Sequence, residues 1–253
     1  MQSKSFTGYA LLGSGRMARH LRHYLQHLQL PVRCWSRNAD PQFNDLIATL
    51  DADLRLEQTL AACSHVLLAV KDEALFELSQ RALPGQTVVH FAGALSLASA
   101  QSAHPLMTFG ERLEPPDWYK CIPFVVDEGR ELKNLLPGLP NPYFALAPNL
   151  RPYYHALCSL AGNSTFLLWK QVGDEFERTL NLPRALLSPF LHQVVANSSR
   201  FSAVDFTGPV ARGDWDVVRS HLQSLRFSPK LLEAYRHYLS AAESAGHTLP
   251  EAL

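Results

Sequence analysis

The segment YALLGSGRMARHL holds Gly13, Gly15 and Ala18 in a G-x-G-x-x-A spacing. Where a strand runs into a helix, this spacing has a specific use. The first glycine allows the tight turn. The second lets the main chain approach a pyrophosphate, and the small third residue lets helix and strand pack closely. The helix that follows offers free N–H groups and the positive end of its dipole to the phosphates. Gly13, Ser14, Gly15, Arg16 and Met17 are therefore candidate dinucleotide-binding positions. The alternative is a glycine-rich turn with no ligand.

A second group narrows the nucleotide. A site for NAD usually has an Asp or Glu about 20 residues further on, to hold the ribose hydroxyls. This chain has Trp35-Ser36-Arg37-Asn38 there, with no carboxylate. A hydroxyl followed by a guanidinium suits a 2′-phosphate, through paired charge-assisted hydrogen bonds. Ser36 and Arg37 thus point to NADP(H), against the alternative of an exposed loop arginine. Val70 and Lys71 in LLAVKDEAL, and Gly93 in HFAGAL, stand where later strands should end. They are expected to line the nicotinamide side, although Lys71 also suits a solvent-facing helix start.

These residues need a parallel sheet to position them, and the first half of the chain reads as one. Apolar runs at 8–13, 31–36, 65–70 and 87–93 alternate with helical patterns at about 15–28, 42–50, 56–63 and 72–82. That alternation predicts an α/β Rossmann sheet with right-handed crossovers. Two further short runs follow at 106–109 and 121–126. The proline-rich stretch 135–152 reads as a junction. Beyond it the pattern is helical, at about 151–171, 173–180, 183–200, 214–225 and 229–246. The expected domains are 1–148, Rossmann, and 149–253, all-helical, with the active site in a cleft between them.

Composition narrows the partners. The 253 residues carry 23 Lys+Arg and 23 Asp+Glu, a net charge of zero, which gives no basic stripe for nucleic acid or an anionic membrane. No apolar stretch approaches the ~20 residues of a membrane span. Cys34, Cys63, Cys121 and Cys158 are scattered without a CxxC pair, as expected of buried, reduced thiols in a cytoplasmic protein. The histidines show no HExxH spacing, and no metal site is expected.

The motifs GSGRMA, Ser36-Arg37, LLAVKDEAL and FAGALS resemble dehydrogenases allied to 6-phosphogluconate dehydrogenase, pyrroline-5-carboxylate reductase and ketopantoate reductase. HPLMTF (104–109), YYHALCSLAGN (153–163) and TGPVARGDWDVVRSHL (207–222) more specifically resemble the bacterial family with a Rossmann-like domain followed by "domain of unknown function 2520". The resemblance implies an NADP-type cofactor and a helical C-terminal domain that commonly forms a homodimer. It also implies a small branched 2-oxo acid as substrate, with ketopantoate the leading candidate.

Related β-hydroxy-acid dehydrogenases and ketopantoate reductases use a lysine with an asparagine four residues later. Here the asparagine is Asn163, and Ser159 stands where the lysine would be. Hydride transfer to a carbonyl needs a donor for the developing alkoxide and a source of the proton. His155 and His104 are the candidate acids, and Asn163 a candidate for orienting substrate. The proline after His104 restricts it to extended backbone, which suits a loop beside the cofactor. On a continuous helix over 151–171, Leu157, Leu160, Ala161, Ser164 and Leu168 form a core face. His155, Ser159, Asn163 and Phe166 then lie opposite, toward a cleft or solvent.

The segment TGPVARGDWDVVRSHL carries the remaining candidates. Gly208-Pro209 fixes the chain direction, Gly213 gives a close turn, and Asp214 is an expected N-cap for a helix over 215–225. Val218, Leu222 and Leu225 form the expected buried stripe of that helix. Thr207 and Arg212 would be held rigidly as substrate-binding residues, Arg212 pairing with a carboxylate. The alternative is an Arg212 that pairs with Asp214. The reading is an NADPH-dependent reductase of a small 2-oxo acid. The alternatives are a cyclic-imine reductase, for which the missing lysine matters less, and a non-catalytic NADP-binding regulatory protein.

Overall fold

A computed structural model describes residues 6–38, 51–198 and 206–250. The predicted helix over 42–50 lies outside the described residues. The chain divides into two compact units, Met1–Leu160 and Ala161–Leu253. The expected division between 148 and 149 therefore falls too early, for a reason given below.

The first unit is built on seven strands: β1 (Tyr9–Leu12), β2 (Val32–Trp35), β3 (His65–Leu68), β4 (Thr87–His90), β5 (Gln101–Pro105), β6 (Phe124–Asp127) and β7 (Tyr143–Leu146). Among the described residues they form one sheet in the order β2-β1-β3-β4-β5-β6-β7. The pairs from β2 through β5 are parallel, and β5 pairs β6 antiparallel. The sheet is thus mostly rather than wholly parallel. Two of its strands differ from expectation. The strand next to β4 is Gln101–Pro105, not 106–109, and β7 rises from the proline-rich stretch read as a junction.

Alternation along β1 explains the layering. Tyr9 and Leu11 face one core, with Leu67, Val89 and Phe124, and α1 (Arg16–His27) covers it with Leu21 and Leu25. Ala10 and Leu12 face the other core, with Val66, Leu68 and Val88. There α2 (Ala52–Ala61) brings Leu56 and Leu60, and α3 (Asp72–Ser79) brings Leu75 and Leu78. A strand buried on both faces must be apolar throughout, which is why β1 and β3 read as unbroken apolar runs. Emptying one such position, as in Leu67→Ala, costs about 2–5 kcal/mol.

Three further α-helices belong to this unit: α4 (Pro116–Lys120), α5 (Leu132–Leu135) and α6 (Arg151–Ser159). β7 pairs only β6 among the described residues, and Tyr143 and Phe144 on it are exposed. The four cysteines form no disulfide. Cys34 and Cys63 are buried as expected, whereas Cys121 is exposed. α1 carries one H-x-x-x-H spacing, His23 and His27. No cluster of three His, Cys, Asp or Glu that could hold a metal is found among the described residues.

The single helix expected over 151–171 is broken. α6 stops at Ser159, a π turn spans Leu160–Ser164, and α7 runs Thr165–Arg178, absorbing most of the separate helix expected at 173–180. The π turn adds a residue to the helical repeat, so the faces drawn at 100° per residue do not carry through it. The predicted core face is wrong on both sides of the turn: Leu157, before it, is exposed, as are Leu160 and Leu168.

The second unit continues with α8 (Leu187–Ser198), α9 (Pro209–Arg212), α10 (Trp215–Ser224) and α11 (Pro229–Ser244). Its small core is Val210, Val218, Leu239 and Ala242, with Leu222 and Tyr235 packed against it. Leu225 is only half-buried and falls in a closing 3-10 turn. Gly208-Pro209 opens α9 with proline in the first turn, and Gly213, left-handed at φ 72°, closes it. The TGPVARGD motif is therefore a one-turn helix between two glycines, where only a close turn was expected.

Candidate active site

Ligands of open α/β sheets bind outside the C-terminal ends of the strands, where the strand order reverses. Here the order reverses between β1 and β3. Gly13 ends β1, held by its N–H to the Trp35 carbonyl at 2.8 Å. At φ 116°, a methyl carbon on it would lie 2.2 Å from the Ala69 carbonyl oxygen and 3.2 Å from Val70. The protein itself therefore requires glycine at 13. Gly15 is different: a methyl carbon there would meet nothing within 4 Å. No packing constraint explains the second glycine, which leaves open space above the start of α1. Gly15 is the N-cap of α1, no side chain caps that helix, and its first turn holds no acidic residue. Its leading N–H groups are available to an anion.

The neighbouring candidates are placed less uniformly. Ser14 is half-buried. Arg16 is exposed and pairs with Glu111 at 3.3 Å. The Met17 side chain is partly buried and packs against the core. At the end of β2, Ser36 is buried and Arg37 exposed. Arg55 of α2, itself buried, donates to the carbonyls of Ser36 (3.3 Å) and Arg37 (3.2 Å) and so fixes this turn. Sequence reasoning missed Arg55, although an arginine on the apolar face of a helix was a visible signal. Val70 is half-buried beside Gly13, while Lys71 caps α3 with its side chain in solvent, 4.0 Å from Glu73.

Further along the same edge, two predicted histidines meet. His90 of β4 is in register with Ser102 of β5, which puts His104 level with Ala92, next to Gly93. His104 is therefore a strand residue and not the loop residue expected. Gly93 lacks the atom that would exclude its neighbours: a methyl carbon there would lie 2.3 Å from His155 Cδ2 and 3.0 Å from His104 Nε2. The two imidazoles stand edge to face at 5.7 Å. Tyr154, not singled out from the sequence, places its hydroxyl 2.8 Å from His104 Nδ1.

Beneath this cluster the charges are buried. Arg151 opens α6 with its side chain fully buried, and its Nε donates to Asp127 at 2.7 Å. Asp127 also accepts from the Ser102 N–H at 3.1 Å. This pair anchors α6 to the end of β6, which is why α6 belongs to the sheet's unit. His90 is buried with both ring nitrogens unpartnered, as are Ser102 Oγ and Arg151 Nη1. Burial, with the Arg151 charge adding to it, pushes His90 down to about 4. Burial first, then His155, Arg151 and His90, push His104 down to about 4 as well. Burial, and then Cys158, push the Tyr154 hydroxyl up. At neutral pH His104 is thus an uncharged hydrogen-bonding group.

The remaining candidates lie in the second unit. Asn163 sits exposed in the π turn, and Thr207 is exposed. Arg212 is held by Asp214, at 2.9 Å from Nε and 2.8 Å from Nη2. That is the alternative raised for it, and Asp214 spends its carboxylate on Arg212 instead of capping α10.

Residues 127–242 match the family described as domain of unknown function 2520. The resemblance read from the motifs is borne out. The DUF2520 region begins at Asp127 and so takes in Arg151, Tyr154 and His155, but not the glycine turn. Solved structures resemble nearly the whole chain. A candidate NADP oxidoreductase from Bacteroides fragilis is 21% identical, with a TM-score of 0.69 over 93% of this chain and 97% of that one. A protein from Thermotoga maritima is 20% identical, with a TM-score of 0.66 over 93% and 97%. A reductive aminase from Aspergillus terreus, in complex with NADPH and ethyl levulinate, is 16% identical, with a TM-score of 0.64 over 96% and 97%. No curated protein matches the sequence. At these identities the likeness concerns the fold.

Proposed function

We propose that this chain is an NADP(H)-dependent reductase of a small molecule containing a polarised C=O or C=N bond. Gly15 carries the proposal. Its missing side chain clears space that no protein atom fills, at the switch point of the sheet and over an uncapped helix start. A pyrophosphate suits that space, and exposed Arg37 at the end of β2 suits a 2′-phosphate. When bound, a reduced nicotinamide would supply hydride at the edge where Gly93, His104 and His155 meet, and these histidines would serve the proton.

Between the two bond types, the imine gains support from the reductive aminase that shares the fold, and from Ser159 in place of a lysine. A 2-oxo acid such as ketopantoate needs a cation for its carboxylate, and Arg212 already holds one in Asp214. The test is consumption of NADPH and of NADH with a panel containing ketopantoate and cyclic imines. Oxidation of NADPH alone, with Arg37→Ala abolishing the preference, supports the proposal. Binding of neither cofactor overturns it.

We also propose a homodimer. α7 and α8 leave Phe166 and Phe190 exposed beside a groove of about 570 Å³, lined by Trp169, Leu187, Leu191 and Val195. Apolar surface of this kind suits association. Light scattering at micromolar concentration decides it, and a monomer there would overturn it.

A further inference from the structure

His104 has two nitrogens with different neighbours. Nδ1 meets the Tyr154 hydroxyl at 2.8 Å, the rings standing edge to face at 5.6 Å. Nε2 faces Gly93, whose missing side chain leaves room there for the edge of the His155 ring, and no hydrogen bond from a described residue reaches Nε2. A neutral imidazole carries one N–H, and the bond made by one nitrogen decides whether the other holds it. A phenol is a strong donor, and an unprotonated ring nitrogen accepts well. The alternative has Nδ1–H donating to Tyr154 while the phenol turns to the Cys158 sulfur, a weak acceptor. The first arrangement keeps the better acceptor.

We propose that Tyr154 is a positioning residue: its hydroxyl donates to His104 Nδ1, fixes the Nε2–H tautomer, and makes Nε2 the group that delivers the proton to the reduced atom. The proposal rests on the reductase reading above. As hydride adds to the carbon of the C=O or C=N bond, the π electron pair moves to the oxygen or nitrogen. That atom takes the Nε2 proton and Nδ1 takes the Tyr154 hydroxyl proton; Nδ1 then returns its proton to the phenolate as solvent reprotonates Nε2, which restores the starting tautomer. An alkoxide or an amide ion is a stronger base than a phenolate, so the transfer runs downhill even with the Tyr154 hydroxyl pushed up by burial. An imidazole that is neutral before and after the step suits a buried strand better than one that must charge.

The tautomer can be read without turnover. In protein labelled with ¹⁵N-histidine, two-bond nitrogen–proton spectra distinguish the ring nitrogens, and His104→Gln assigns the signal. The expected result at pH 7 is a protonated Nε2 and a bare Nδ1 in the unaltered protein. In Tyr154→Phe that pattern gives way to a mixture of tautomers. With a carbonyl substrate, Tyr154→Phe should lower kcat ten- to a hundredfold while leaving NADPH affinity unchanged. A His104 protonated on Nδ1 overturns the proposal before any variant is made, and so does an Nε2–H pattern unmoved by Tyr154→Phe. A locked Nε2–H in a protein that binds NADPH yet reduces no carbonyl or imine removes the reductase reading, and the proton-delivery role with it. The tautomer assignment itself would then stand.

Discussion

Arg151 Nε donates to the Asp127 carboxylate at 2.7 Å, with the arginine side chain wholly inside the protein. This bond ties the helix bearing Tyr154 and His155 to the end of β6. A buried ion pair adds little over a well-packed apolar pair, but breaking it strands a charge. Asp127→Asn should therefore lower stability by about 3–5 kcal/mol in urea unfolding. Asp127→Leu combined with Arg151→Met should recover most of that loss. A loss under 1 kcal/mol for Asp127→Asn would mean that the guanidinium finds another acceptor.

Gly13 and Gly15 should respond differently to alanine. Gly13→Ala drives a methyl group into the Ala69 carbonyl and should compromise folding. Gly15→Ala meets no protein atom and should keep the thermal midpoint, within the few tenths of a kcal/mol to about 1 kcal/mol that separate cap residues. Its effect should fall on NADPH affinity, by tenfold or more. Equal loss of folding in both variants would remove the functional reading of Gly15.

Gly93→Ala tests the histidine cluster. The backbone at 93 tolerates alanine, but the added methyl group would lie 2.3 Å from His155 and 3.0 Å from His104. Side-chain ends can move, so stability should fall by only about 1–3 kcal/mol, the range for overpacking. Turnover should fall about a hundredfold, as expected when catalytic groups shift by an ångström. Unchanged kcat would place the reacting atom elsewhere.

Acid should destabilise this protein in a defined window. His90 and His104 are pushed down to about 4, and His65 is also pushed down by burial. Unfolded, each would take a proton near 6.5. Between about pH 6.5 and 4 the unfolded chain thus binds more protons, so stability is full above that window and falls as pH drops through it. His90→Leu should flatten this slope. It should also raise stability at pH 7 by about 1 kcal/mol, since both ring nitrogens lack partners. A steeper slope in that variant would contradict the assignment.

Glycine and apolar runs make β1, β3, β4 and the glycine turn after β1 legible, because both follow from local backbone and burial rules. β5 is hidden by its own polarity: Gln101-Ser102-Ala103-His104 buries polar groups, and the apolar periodicity falls on the residues after it. β7 was hidden by flanking prolines, and nothing local marks the π turn that breaks the helix after Ser159. His104 and His155 were recognised separately, yet the glycine that lets them meet was read as a cofactor contact. Arg151 and Tyr154 were unmarked, since their partners lie on distant strands.

β7 also leaves the sheet with an open side. Its outer N–H and C=O groups face no described strand, and Phe144 stands there 65% exposed. Such a margin is a template for an extended segment of another molecule, and the chain places neither lysine nor aspartate on it. Shelf life in concentrated samples should accordingly be limited by strand addition at this margin. A single Phe144→Lys should lengthen it without touching catalysis.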